Sequence, residues 1–421
     1  MIKGMNSSEM QKNNRTLVFK TLLECGSMTR TELAAGIGLQ KATITNIINE
    51  FLEMGIIAID GDGAAGRRGE NIYLKLDGIY TMSIGITRKD YQIEIFSLDG
   101  KQIKHVRHQI RKYEDIHRVV TGLKERALEL VNQFGKQNIL GICLAVPGLY
   151  IRRKTDGKDM FQVAEFAQLS QVDIHRELEE ALGVPVLMKH DAKLAAYAEW
   201  RNAKEAKEDK NVSLIVIRSR GFGIGAGIVI NGKIVEGQVG IAGEIGRMGI
   251  NYNGKRNQDE CMGTFEYYAG TESAVRYMLE RLYEFPDSVL DEDSTYTDIV
   301  EAYQKRDPLA VYAIEKMAWM LGYGIANIVY MINPDCIILG PDYPEMECFL
   351  EKVRQVVKQF VHPLVEESIT IRYSALSEDS FLLGGYYHVL EALFKENLIL
   401  EKIRHITEED ILEETASKTV G

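Results

Sequence analysis

A chain of 421 residues is too long for one ordinary hydrophobic core, so two or three packed units are expected. A composition of 45% hydrophobic and 26% charged residues excludes a disordered chain. No apolar run reaches the roughly 18 residues of a membrane span, and the polar stretch 1–14 reads as no secretory leader, so no membrane association and a cytoplasmic protein are expected. The net charge of −11 excludes a surface coated in nucleic acid along its whole length, yet the first 75 residues carry 9 basic against 8 acidic side chains. A small nucleic-acid-reading head on an acidic body would have this distribution.

Three helices and a hairpin are read from Asn13 to Leu76. The first helix carries Leu17, Val18, Leu22 and Leu23 on one side and stops near Gly26. A second starts at Thr29, where Thr29 and Glu32 stand in the S/T-x-x-E spacing that satisfies orphan amides, and ends at Gly36. Residues 30–47 then fit a helix-turn-helix position by position: Leu33 apolar, Ala34 small at the helix crossing, Gly38 in the turn, and Leu39, Ile44 and Ile47 apolar. In the third helix Ile44, Ile47, Ile48, Phe51 and Leu52 form one core stripe. The opposite side offers Gln40, Lys41, Ala42, Thr43, Thr45, Asn46 and Asn49. Such side chains pair with phosphates and base edges, and residues at a helix start are the ones that enter a major groove. Gln40, Lys41, Thr43, Thr45 and Asn46 are therefore candidate DNA contacts, while Asn49 reads as a solvated polar residue. Residues 56–59 and 71–74 read as strands around a glycine-rich loop, a wing whose tip holds Arg67 and Arg68. Two guanidiniums there suit phosphate contact or a narrow minor groove, and a plain solvated loop is the bland alternative.

From Tyr80 onward strands at 82–87 and 91–97, an amphipathic helix at 116–134 and a buried strand at 141–146 ending in Pro147-Gly148 indicate an α/β body. A second lobe opens with strands at 213–217 and 225–230. Cys25, Cys143, Cys261, Cys336 and Cys348 are odd in number and never in a C-x-x-C pair, so buried free thiols are expected rather than a disulfide framework or thiolate cage.

Several segments, each weak alone, stand in a specific order: Ala145-Val146-Pro147-Gly148, residues 190–199 (HDAKLAAYAE), 223–228 (GIGAGI), 242–247 (AGEIGR), and Ile332-Asn333-Pro334-Asp335 leading to Leu339-Gly340. In these the chain resembles the ROK family, which groups sugar-responsive repressors with sugar kinases. The resemblance implies an N-terminal winged helix-turn-helix at 1–77 and an α/β, actin-like (ribonuclease H-like) two-lobed body. Its first lobe is expected at 78–199 and its second at 200–421, with part of the C-terminal helices packing back on the first. It also implies a sugar in the interlobe cleft. Asp191 matches the carboxylate that kinases use as base, but a carboxylate accepts from a hydroxyl whether or not phosphoryl transfer follows. Glu244 and Glu266 match positions that hold further hydroxyls. With Gly148, Glu165, His190 and Arg247 they complete the expected ligand-binding set.

Departures from the family pattern separate kinase from sensor. Ser83 stands where ROK kinases have an aspartate and Phe222 where they have a threonine, so two groups used around nucleotide phosphates and metal are missing. The family's zinc site is degraded, with Arg247 at the histidine position and a single Cys261 in the cysteine cluster. No metal and no cofactor are expected. Arg247 and His190 together suit an acidic or phosphorylated sugar, or else Arg247 pairs with Glu244 or Glu266 and closes the pocket. The expected protein is a homodimer or tetramer that represses carbohydrate genes by binding operator DNA under control of a sugar. An ATP-dependent sugar kinase with an accessory DNA-binding head is the main alternative, and a head that docks on another protein is the third reading.

Overall fold

The computed structural model describes residues 6–60, 70–111, 114–152, 159–162, 164–220, 223–256 and 261–406, without the side chains of 149–152, 159–162, 164–167 and 220. Arg67, Arg68 and Phe222 lie outside the described residues.

The N-terminal unit begins earlier than its apolar pattern does. Asn6 and Glu9 form a reciprocal capping box at the start of α1 (Ser7–Cys25), so helix-start chemistry extends the helix through a stretch with no apolar period. Val18, Phe19 and Leu22 face the core, whereas Leu17, expected beside them, is 40% exposed. After β1 (Ser27–Met28), α2 (Arg30–Ile37) starts on the expected Thr29–Glu32 box and ends at Gly38, which adopts the left-handed conformation that the turn requires. In α3 (Lys41–Glu53), Ile44, Ile47, Ile48 and Phe51 are buried. Leu52, expected in the same stripe, is 38% exposed, because the buried face is already closed by Phe51 against Phe19. β2 (Ile57–Asp60) and β3 (Asn71–Leu74) pair antiparallel, and β1 pairs with the free edge of β3 to give the order β1-β3-β2. A two-residue strand shows no alternation, so β1 is invisible to periodicity.

The body contains two five-stranded sheets of one topology. In the first, β4 (Tyr80–Ile86), β5 (Asp90–Ser97) and β6 (Gln102–Gln109) run antiparallel. After α4 (Ile116–Phe134), β7 (Ile139–Val146) pairs parallel with β4. The antiparallel pair β8 (Leu149–Arg152) and β9 (Asp159–Gln162) and helix α5 (Ile174–Leu182) lead to β10 (Val186–His190), parallel to β7. Helices α6 (Asp191–Asn202) and α7 (Lys204–Glu208) lead to the second sheet. There β11 (Leu214–Arg220), β12 (Gly223–Ile230) and β13 (Lys233–Ile234) are antiparallel. Past α8 (Phe265–Ala269), α9 (Thr271–Arg281), α10 (Tyr296–Gln304) and α11 (Pro308–Ile332), strand β14 (Cys336–Leu339) joins β11 in parallel. Helices α12 (Glu347–Phe360) and α13 (Pro363–Glu366) precede β15 (Thr370–Tyr373), parallel to β14. The strand orders, β10-β7-β4-β5-β6 and β15-β14-β11-β12-β13, are the same path traced twice.

The last long helix, α14 (Ser380–Lys395), leaves the second lobe and packs on β4 and β7 of the first. It also runs along α6, where a Cβ on Gly384 would collide with the Leu194 carbonyl. On its other flank α6 meets β11 and β12, with Gly227 so close that a Cβ would strike Ala192 and Ala196. One continuous apolar cluster joins Val18, Phe19 and Ile48 of the N-terminal unit to Phe96, Leu140, Leu393, Ile399 and Ile403 of the body. The cysteines depart from expectation: Cys143 and Cys336 are buried, Cys261 is half-buried, and Cys25 and Cys348 are exposed. Both exposed thiols occupy helix ends, where one face is open to water. Burial pushes the Cys143 thiol up to about 12 and Cys336 to about 11, which keeps both as inert core atoms.

Candidate functional site

The parallel strands β7 and β10 end together, with Val146 in register with His190. Ligands of α/β sheets gather outside such carboxyl ends. Gly148, with φ of 78°, turns the chain away from β7, while His190 caps α6 and Asp191 begins it. His190 Nδ1 accepts from the Ala192 N–H at 3.2 Å, and an Asp191 oxygen accepts from the same N–H at 2.7 Å. With Nδ1 an acceptor, a neutral His190 ring carries its proton on Nε2, 4.0 Å from a Glu244 carboxylate oxygen.

The facing wall comes from the second lobe. Glu244 precedes a single 3₁₀ turn, Ile245–Arg247. Gly243 holds that turn against β12 with φ of 97°, and a Cβ there would run into the Ala226 carbonyl. Gly246 lies against both the Ile224 carbonyl and the Glu266 carboxylate, which brings Glu266 of α8 beside the Glu244–Arg247 turn. Gly225 of β12 faces the His190 ring. Thus His190, Asp191, Glu244, Arg247 and Glu266 converge. Glu165 falls in a 3₁₀ stretch, Ala164–Gln171, and its side chain is outside the described set.

Two lysines that the sequence reading passed over border this cluster. Lys189 and Lys193 bracket His190 and Asp191, and both reach Glu236, at 2.5 and 3.1 Å. Lys193 Nζ also donates to the Gly240 carbonyl at 2.6 Å. Its side chain is 3% exposed, so burial lowers its pKa despite Glu236. Burial works against ionising Glu236 as well, but the two lysines hold its carboxyl below the ordinary range. Burial pushes the Glu244 carboxyl up, opposed by His190, Arg247 and Lys193. The clamp fixes loop 236–244 to α6, and with it the position of Glu244. A sequence signal existed in Lys189-His190-Asp191-Ala192-Lys193, but Glu236 is 43 residues away from its second lysine and its role depends on the fold.

On the N-terminal unit, Gln40 caps α3 without a side-chain hydrogen bond. Lys41, Thr45 and Asn46 are exposed and Thr43 is half-buried. Thr45 Oγ1 donates to the Lys41 carbonyl at 2.9 Å, so its hydroxyl is turned toward its own helix. Among the described residues the side chains of Gln40, Lys41 and Asn46 make no hydrogen bond, and α3 has no acid in its first turn. Arg15–Glu50 and Arg30–Glu70 pairs join neighbouring elements at its base.

Ser83 is buried in β4 with its hydroxyl unpartnered among the described residues, and α14 lies directly over it, since a Cβ on Gly385 would stand 2.7 Å from Ser83 Oγ. Phe381 covers Gly85 in the same way. In the second lobe a buried Arg218–Asp342 pair at 2.6 Å joins β11 to the turn after β14, with Arg218 reaching the Glu378 carbonyl too. The zinc that the family resemblance implies does not fit these residues: Arg247 takes the histidine position, and among the described residues no group of three or more histidine, cysteine or acidic side chains is placed to hold a metal ion. No described helix is long and apolar enough to cross a membrane.

Comparisons with known proteins agree with this architecture. The xylose repressor of Caldicellulosiruptor bescii is 28% identical over 398 residues, spanning 90% of this chain and 96% of that protein. NagC of Escherichia coli, a DNA-binding transcriptional dual regulator, is 26% identical over 353 residues, 81% of this chain and 83% of NagC. Among solved structures, a ROK family transcriptional regulator, described as a homolog of the E. coli MLC protein, superposes with a TM-score of 0.76 at 23% identity, over 94% of this chain and 99% of that one. A ROK hexokinase from Thermus thermophilus superposes with a TM-score of 0.60 at 23% identity, over 74% of this chain and 100% of that one. The model of the ROK family matches residues 81–392, and the chain belongs to that family.

Proposed function

We propose that residues 1–77 form a winged helix-turn-helix that reads operator DNA through α3, and that the two lobes of the body, 78–199 and 200–421, close on a sugar held by Asp191, His190, Glu244 and Glu266. The chain is a sugar-responsive repressor. The observation that carries the DNA reading is α3 itself: a buried stripe of Ile44, Ile47, Ile48 and Phe51 behind an open polar face that begins at Gln40 and Lys41. Gly38 in its left-handed conformation and the β2–β3 pair are the turn and wing such a module needs. Arg67 and Arg68, on the segment joining β2 to β3, are assigned to the DNA backbone or minor groove.

For the effector, the balance of charge favours a neutral polyol over the acidic sugar first considered. Among the described residues Lys189 and Lys193 are taken up by Glu236 and Arg247 lies in the field of Glu244, while Asp191, Glu244 and Glu266 bring three carboxylates together. Carboxylates accept hydrogen bonds from hydroxyls well and repel anionic ligands. Catalytic silence is supported by Ser83, which offers a hydroxyl in place of a metal-binding carboxylate and lies buried beneath α14. A dimer or tetramer presenting paired heads completes the proposal. Calorimetry with neutral sugars, uronic acids and sugar phosphates, run beside an ATP-consumption assay, tests it. Binding of a neutral sugar without ATP turnover is the expected result, and binding of only anionic sugars, or turnover, contradicts it.

A further inference from the structure

Helix α6 is the element where the cleft, both lobes and the N-terminal unit meet. Its first residue is Asp191, and it packs on β11 and β12 of the second lobe and on α14, which covers the first. Neither contact has slack: Gly227 lies against Ala192 and Ala196, and Gly384 against the Leu194 carbonyl, each closer than any side chain permits. Residues 192–200 are all buried. A closing of β12 toward Asp191 is therefore passed along the helix rather than absorbed beside it, since packed interiors shift as units.

The far end of α6, about 15 Å from Asp191 along the helix axis, touches the N-terminal unit. Arg201 in its last turn pairs with Glu24 of α1 at 3.2 Å, and its guanidinium lies over the Tyr387 ring of α14, 4.8 Å from the centroid. Asn202 beside it donates to the Tyr387 hydroxyl at 3.4 Å. α14 and the residues just after it hold α1 at a second point, where Phe394 meets Phe19 at 6.5 Å and Asn397 donates to Asn13 at 2.7 Å. Glu24 is near the C-terminal end of α1, which continues into β1 and α2.

We propose that Arg201 is a positioning residue for the regulatory activity: it links the effector-bearing helix α6 and α14 to α1, so that sugar in the cleft changes how the heads are held. The inference rests on the cleft being the effector site and α3 the DNA reader. Coupling of this kind requires the Glu24–Arg201 contact to differ between the two head arrangements, which a substitution exposes as a changed ratio rather than a lost affinity.

The test uses the full chain and a duplex selected from a random pool by the unmodified protein. D-xylose, D-glucose and N-acetylglucosamine serve as probes, and the sugar that releases the duplex is carried forward. Glu24→Arg, Arg201→Glu and the double exchange are measured for sugar affinity, for duplex affinity without sugar and for duplex affinity at saturating sugar. Each single change is expected to leave sugar affinity within about twofold and to cut the ratio of the two duplex affinities by about threefold or more, with the double exchange restoring it. Arg201→Lys, which keeps the charge and loses the planar stack on Tyr387, is expected to fall between. An unchanged ratio in both single variants overturns the proposal, as does a double exchange no better than the singles. Failure of the unmodified protein to respond to any probe while still binding duplex overturns it through the effector reading; failure to bind duplex at all does so through the DNA reading.

Discussion

The outer face of α3 and the cluster around Asp191 are both polar, yet they are built in opposite ways. On α3, Gln40, Lys41 and Asn46 stand exposed with no hydrogen bond among the described residues. In the cluster Lys189 and Lys193 are satisfied by Glu236, His190 is held by a backbone amide, and Glu244 lies within reach of His190 and Arg247. A surface that meets a long polyanion leaves its donors open and gains from each phosphate. A pocket that discriminates a small molecule needs its groups fixed before the ligand arrives, because a buried polar group left unpaired is costly.

Four substitutions break or sharpen that contrast. Asp191→Ala removes the one carboxylate at the head of α6 and is expected to weaken sugar binding by about 100-fold, with duplex affinity in the absence of sugar unchanged; calorimetry and gel shift check the two halves. Glu236→Ala leaves Lys193 buried beside Lys189 and is expected to cost about 2 kcal/mol of stability, less than a fully buried pair because the Glu236 side chain is 37% exposed. Denaturant unfolding measures that loss, and weaker sugar binding should accompany it as loop 236–244 loosens. On the open face, Asn46→Ala should cost about 1 kcal/mol at one base pair only, whereas Lys41→Ala should weaken all duplexes alike and lower the salt slope by about one.

A further effect concerns a group outside both regions. Burial first, and the neighbouring Asp379 second, push the Glu94 carboxyl up to about 7. The folded state therefore binds a proton more readily than the unfolded chain between the ordinary value of 4.5 and about 7, and stability falls as pH rises through that window. Glu94→Gln should raise Tm at pH 8 by roughly 2 °C and leave it unchanged at pH 4, as thermal scans at the two pH values would show.

The contrast also explains what the sequence discloses. The stripe of α3 and the Gly38 turn follow from local periodicity and backbone sterics, and both appear where expected. Leu17 and Leu52 obey the same period but sit at its edges, where only tertiary packing decides which side is buried. The cleft residues His190, Asp191 and Glu244 were legible through ordered motifs. Their support was not: Glu236 lies 43 residues from Lys193, Asp342 lies 124 from Arg218, and Glu24 lies 177 from Arg201. Nothing local marks such pairs, since an exposed acid and a buried clamp have the same spelling until the chain folds.

The central claim is that one chain reads duplex DNA with α3 and releases it on binding a sugar without chemistry. A titration of labelled duplex with the full-length protein, repeated across a panel of neutral sugars with ATP present, tests this most directly. Tight, salt-sensitive binding that one sugar relieves while ATP is untouched is the expected result. Indifference to duplex at low salt, or phosphorylated sugar among the products, would contradict it.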